Sequence, residues 1–168
     1  LIFGSPVYFH GITGKLRMFL ERLFFPCLVY DADYSSLAPR RMPTAFIYTM
    51  NVPHEVMLAQ KYPDAFRPME YFLERLFSKP ETLYANDTYQ FSDYSKYKVE
   101  CFSEAEKAHH RERQFPIDRR NAFELGQGWP GEPGERPRLS HCAGKRQGRP
   151  FQTSGPYRRP GGSWLNRK

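Results

Sequence analysis

No stretch of the sequence approaches the roughly 20 apolar residues that a bilayer-crossing helix needs, and no secretory signal is visible at its start. Cysteine is scarce. Cys27, Cys101 and Cys142 are odd in number and far apart, which argues against a disulfide framework and a local metal site and suits a reducing, cytoplasmic setting. No fixed-period repeat is present, so a solenoid is set aside. Methionine is missing from position 1, where Leu1 lies inside an apolar run; we expect the N-terminal strands of the fold, and any targeting segment, to be absent from this chain.

Acidic residues are short in one region only. Residues 1–126 hold 16 Lys and Arg against 16 Asp and Glu, whereas residues 127–168 hold 9 against 2, so the net charge of +7 belongs entirely to the tail. The tail also carries 8 of the 12 Gly and 6 of the 15 Pro, a composition that buries too little apolar surface to offset the entropy of ordering it. It is expected to be a disordered, low-complexity basic tail. Its abrupt start at Gly128-Trp129-Pro130-Gly131 points first to out-of-frame translation of GC-rich coding sequence, with a natural disordered tail as the alternative. An RNA-binding tail ranks behind both, because Trp129, Phe151, Tyr157 and Trp164 are scattered and make no stacking platform. Neither a nucleic acid nor a membrane is expected as partner.

What is present in residues 1–126 alternates between strand and helix signals. Leu1-Ile2-Phe3 ends an apolar run at Gly4-Ser5-Pro6, as in a strand buried on both faces of a parallel sheet. A loop from Gly4 to Gly14 then leads to a helix capped by Thr13, with Leu16, Phe19, Leu20, Leu23 and Phe24 on one face and Pro26 at its end. Thr44 to Met50 reads as a second buried strand, Ala65 to Ser78 as a helix with Met69, Phe72, Leu73, Leu76 and Phe77 inward, and Thr82 to Ala85 as a short strand. Ser103 to Leu125 is helical and strongly charged, one kinked helix or two short ones about Pro116. The pattern predicts an α/β domain with a parallel sheet covered on both faces. Ligands then bind at the carboxyl ends of the strands, which singles out Gly4 to Gly11 and Thr49 to Val52.

Phe3-Gly4-Ser5-Pro6-Val7-Tyr8-Phe9, followed by Gly14-Lys15-Leu16-Arg17-Met18-Phe19-Leu20-Glu21-Arg22, resembles the NADPH-dependent FMN reductase family of the flavodoxin-like fold. That family's third strand ends in a Ser-Pro-x-Tyr-aromatic loop and passes through a Gly into a Leu- and Lys-rich helix. Thr49-Met50-Asn51 stands where the family's next strand-end loop touches the flavin, and Phe115-Pro116-Ile117-Asp118 to Leu125-Gly126 resembles its last helix. The resemblance covers about residues 1–126. It implies a three-layer open parallel sheet and FMN contacts at Ser5, Pro6, Val7, Tyr8, Phe9, Thr49, Met50 and Asn51. An isoalloxazine ring has a flat apolar face and a hydrogen-bonding edge, so it needs an aromatic wall and outward backbone amides. The amides of Val7 to Phe9 would meet the edge and Tyr8 or Phe9 the face; the alternative is that both rings merely plug the end of the core.

By the same resemblance the activity is hydride transfer from NADH or NADPH to FMN and onward to a small-molecule or redox acceptor, without a general acid or base. Flavin and nicotinamide nucleotides are then the partners, and a homodimer is common in the family. The family's phosphate-binding loop would lie before Leu1, so the chain by itself is expected to be an inactive fragment. An FMN-binding electron carrier without NAD(P)H activity is the competing reading.

Other residues carry blander expectations. His10 reads as an exposed loop histidine, and His109-His110 as part of a solvated helix face lacking the spacing of a metal pair. Cys27 and Cys101 read as buried or half-buried thiols, and Tyr84, Tyr89, Phe91, Tyr94 and Tyr97 as a packed connection rather than a pocket or dimer surface.

Overall fold

The first strand does not stop at Gly4. In the computed structural model, which describes residues 1–127, β1 runs over Ile2–Tyr8 and a two-residue β2, Gly11–Ile12, folds back on it. There follow α1 (Gly14–Phe24), β3 (Ala45–Thr49), α2 (His54–Ala59), α3 (Tyr62–Leu76), β4 (Glu81–Ala85) and α4 (Glu104–Gln127). The sheet order is β2-β1-β3-β4, with β1 and β4 parallel to the central β3 and β2 antiparallel to β1. The fold is therefore mixed α/β, built on a mostly parallel four-stranded sheet.

Pro6 explains why the strand can continue. The Ala45 N–H bonds the Leu1 carbonyl at 2.9 Å, and in a parallel ladder this turns the odd-numbered residues of β1 toward β3 and the even-numbered ones to the opposite edge. The N–H that Pro6 lacks is thus missing on the outer side, where no bond to β3 is lost. The expectation of a strand buried on both faces is also corrected. Burial alternates along β1, with Phe3 and Ser5 inside and Ile2, Gly4, Pro6 and Tyr8 exposed, because among the described residues nothing covers that second face.

Helix α1 starts as its sequence asks: Thr13 Oγ1 accepts the Leu16 N–H at 3.3 Å. Leu20 and Phe24 are buried, and Leu16 and Leu23 pack at the edge of the core. Phe19, expected on the inner face, is 54% exposed; the Leu16, Leu20, Leu23 and Phe24 stripe leaves it on the flank, where its ring meets Phe3 at 6.4 Å. Helix α3 begins at Tyr62, earlier than expected, since Pro63 falls in its first turn, where a missing N–H breaks no helical bond. Its inner face gains Tyr62 and Phe66 beside Leu73 and Leu76. At its far end Arg41 Nη1 donates to the carbonyls of Glu74, Arg75 and Phe77 at 3.1, 3.0 and 2.9 Å, a cation on the negative end of the helix. The short α2 was not anticipated, six residues being too few to show a period.

The centre of the core is aromatic. Tyr48 lies between Phe46 and Phe66, with ring centroids 5.3 and 4.2 Å away, and each such side chain contributes about 2–3 kcal/mol by burial. The Tyr48 hydroxyl donates to Glu70 Oε1 at 3.1 Å, and burial first, then the Glu70 charge, pushes its pKa upward. Helix α4 continues through Pro116 as one helix and meets β4. It includes Gln127, which the sequence assigned to the tail. The disorder and out-of-frame readings of the tail, its four aromatics and Cys142 lie outside the described residues. Among the described residues no helix is long and apolar enough to cross a membrane.

Candidate functional site

Strand register brings the two predicted segments together. Pro6 is paired with Thr49, and Thr49 with Ala85, so the carboxyl ends of β1, β3 and β4 lie side by side. Open parallel sheets bind ligands at this end because the following loops diverge there.

The eight predicted contact residues divide. Ser5 is 2% exposed, and its Oγ accepts the Thr13 N–H at 3.0 Å and donates to the Pro6 carbonyl at 2.8 Å; it ties β1 to the start of α1. Met50 is 3% exposed and belongs to the core. Val7 is half-buried and packs at the core's edge. Pro6, Tyr8 and Phe9 are exposed, and Thr49 and Asn51 half-buried, so these five form the accessible set. Instead of an open loop there is a hairpin, Val7 opposite Ile12 and Tyr8 opposite Gly11. That corrects the expected row of free amides: Val7 and Tyr8 sit within paired strands, and only the turn residues Phe9 and His10 stand outside the ladder.

Both turn residues have positive φ, 50° at Phe9 and 65° at His10. Two-residue hairpins favour this geometry because it matches strand twist, and they usually place Asn or Gly there. Phe9 is fully exposed. His10 is exposed as expected, though its ring lies 4.2 Å from that of Tyr62.

The loops after β3 and β4 are laced together. Met50 N–H bonds Ala85 O at 2.9 Å, Thr88 N–H bonds Met50 O at 3.1 Å, and Asp87 N–H bonds Val52 O at 3.0 Å. Over them lies Lys107 of α4, its side chain 4% exposed, with Nζ donating to Asn51 O, Asn51 Oδ1 and Asp87 Oδ1. Sequence reasoning missed this residue. One lysine in a helix dense with charge carries no mark that distinguishes it from its solvated neighbours.

His110 is likewise not on a freely solvated face. It is half-buried, Nδ1 lies 3.6 Å from Asp87 Oδ2, and Nε2 is buried without a partner among the described residues. His109 is exposed as expected. Beside His110, a cavity of about 170 Å³ separates the loop after β4 from α4, reaching Asn86, Thr88, Gln114 and Asp118. Burial raises the Asp118 pKa, opposed by the hydrogen bond from Gln114. The aromatic row is a packed connection for the most part, with Tyr84 stacked on Tyr48 and Phe91 on Tyr97, but Tyr89 also lines the cavity. Cys27 is half-buried, and Cys101, expected to be buried or half-buried, is exposed, since it lies in the irregular approach to α4.

Compared with known proteins, the chain matches no family model, no curated protein and no solved structure.

The accessible set combines an apolar surface with a hydrogen-bond donor. Tyr8 and Phe9 present exposed aromatic surface, and with Oδ1 held by Lys107, the Asn51 Nδ2 group has no partner among the described residues. A planar ring with acceptors on its edge matches that pair of features. For a phosphate, no Gly- and Ser-rich loop between a strand and a helix exists among the described residues.

Proposed function

We propose that the chain is the ring-contacting part of an FMN-dependent NAD(P)H oxidoreductase with a flavodoxin-like, three-layer fold. The observation that carries this reading is the Pro6–Thr49 register pair, which sets the Ser5–Phe9 and Thr49–Asn51 segments at adjacent strand ends. Parallel strand pairing and helices between the strands support the fold assignment.

FMN, when bound, supplies the chemistry by accepting hydride and passing electrons onward. The chain's own residues bind and orient. Tyr8 and Phe9 would provide apolar surface for a flat ring, Asn51 Nδ2 would donate to an acceptor on its edge, and Thr49 would line the strand end beside them. Ser5 and Met50 act from beneath, one fixing the hairpin to α1 and the other filling the core under the loop. No side chain of this set is required to move a proton.

The test is to purify the complete gene product, supply FMN, and follow flavin absorbance after gel filtration together with NADH and NADPH oxidation. Retained flavin with nucleotide oxidation is the expected result. Retained flavin without oxidation would turn the reading into an electron carrier, and loss of both would end it.

A further inference from the structure

Lys107 is the most deeply buried charged side chain among the described residues and is not accounted for by the fold alone. A lysine is rarely placed in an interior, because removing its ammonium from water is costly unless every proton finds an acceptor. Here the three acceptors are the backbone carbonyl of Asn51, the side-chain carbonyl of the same residue, and one oxygen of Asp87. Two of the three thus belong to a single residue at the carboxyl end of β3. The ring of Phe102 lies 5.1 Å from Nζ and closes the cation from another side.

This arrangement has a directional consequence. An asparagine amide can turn either its oxygen or its nitrogen outward, and in a loop nothing local decides between them. An ammonium on Oδ1 decides it, since only the oxygen can accept from a cation. Nδ2 is then the atom left for a ligand. Asp87 balances the charge, and its own backbone is anchored to Val52 O, so the loops after β3 and β4 are fixed by the same group.

We propose that Lys107 is a positioning residue for the ligand site, holding the Asn51 amide so that Nδ2 is presented as a hydrogen-bond donor to the edge of the flavin ring. This rests on the FMN reading above for the identity of the ligand, but the clamp on the loop can be measured without it.

The experiment compares the complete gene product with its Lys107→Met, Asn51→Ala and double variants, reading amide hydrogen exchange in each and FMN affinity by fluorescence titration. In Lys107→Met, exchange at Met50, Asp87 and Thr88 should accelerate about tenfold while Phe46 and Tyr48 stay protected, as a local opening predicts. Each single variant should weaken FMN about tenfold, and the double variant should bind no more weakly than Asn51→Ala, because residues acting through one contact are not additive. Unchanged exchange at the loop in Lys107→Met, or losses that multiply to about a hundredfold in the double variant, would overturn the proposal. If the unsubstituted complete gene product binds no FMN, the functional reading fails, and the exchange data alone still decide whether Lys107 clamps the loop. Should Lys107→Met lose protection in the core as well, Lys107→Met/Asp87→Asn, which leaves no unpaired carboxylate, takes its place with the same expected outcomes.

Discussion

The end of β1 and the ends of β3 and β4 are neighbours on one sheet edge, yet they are held in place by different means. The β1 end is fixed by its own backbone, a hairpin that closes over four residues and leaves the Phe9 ring in solvent. The β3 and β4 ends are fixed from a distance, by a lysine 56 positions along the chain from Asn51. Local backbone pairing leaves side chains free for contact but forces unfavourable φ values on the turn. A long-range cation instead makes the loops depend on α4 being docked, and it holds Asp87 at a positive φ of 56°, a conformation Asp tolerates better than Phe.

The comparison can be broken most severely from below, where both ends share one support. Phe46→Ala removes a fully buried ring beneath β1 and β3 and should cost about 3–5 kcal/mol in urea unfolding, disturbing both ends alike. Lys107→Met should come next, at about 3 kcal/mol, because it leaves Asp87 and two carbonyls without their partner; unlike the core variant, it should leave the amides of the β1–β2 hairpin as protected as in the wild type. Phe9→Asn sharpens the contrast in the other direction. Asn tolerates the left-handed conformation that Phe9 is made to adopt, so stability should rise by about 1 kcal/mol in the same urea assay while flavin affinity falls.

The smallest expected effect concerns the cavity beside α4. The Asp118 carboxyl has a raised pKa in the folded state, so the folded chain binds the proton more tightly than the unfolded one. Stability from this group is present at low pH and declines as pH rises through the carboxylate range. Asp118→Asn keeps an acceptor for Gln114 and should remove that decline, a change of less than about 1 kcal/mol visible as a flatter dependence of Tm on pH.

Much of this was readable in the chain itself. The capping threonine, the aliphatic stripe of α1, the strand at residues 45–49 and the meeting of two segments at one sheet edge all follow from local periodicity and the rule for parallel sheets. The hairpin was not readable, since Gly4-Ser5-Pro6 signals a turn on its own and becomes a strand only because its outer edge demands no N–H from Pro6. Ser5 and Met50 also look like contact residues in sequence; whether a residue at a strand end faces ligand or core depends on the pleat, and a shift of one position reverses it.

The sequence by itself determined the alternation of strands and helices, because the spacing of apolar residues sets which local conformation buries them. It also determined the division of charge between a neutral body and a basic tail. Only the tertiary structure decided that Lys107 would be buried against Asn51 and Asp87. The worth of a charged group depends on how much water it loses and which acceptors replace it, and both are properties of the packed chain.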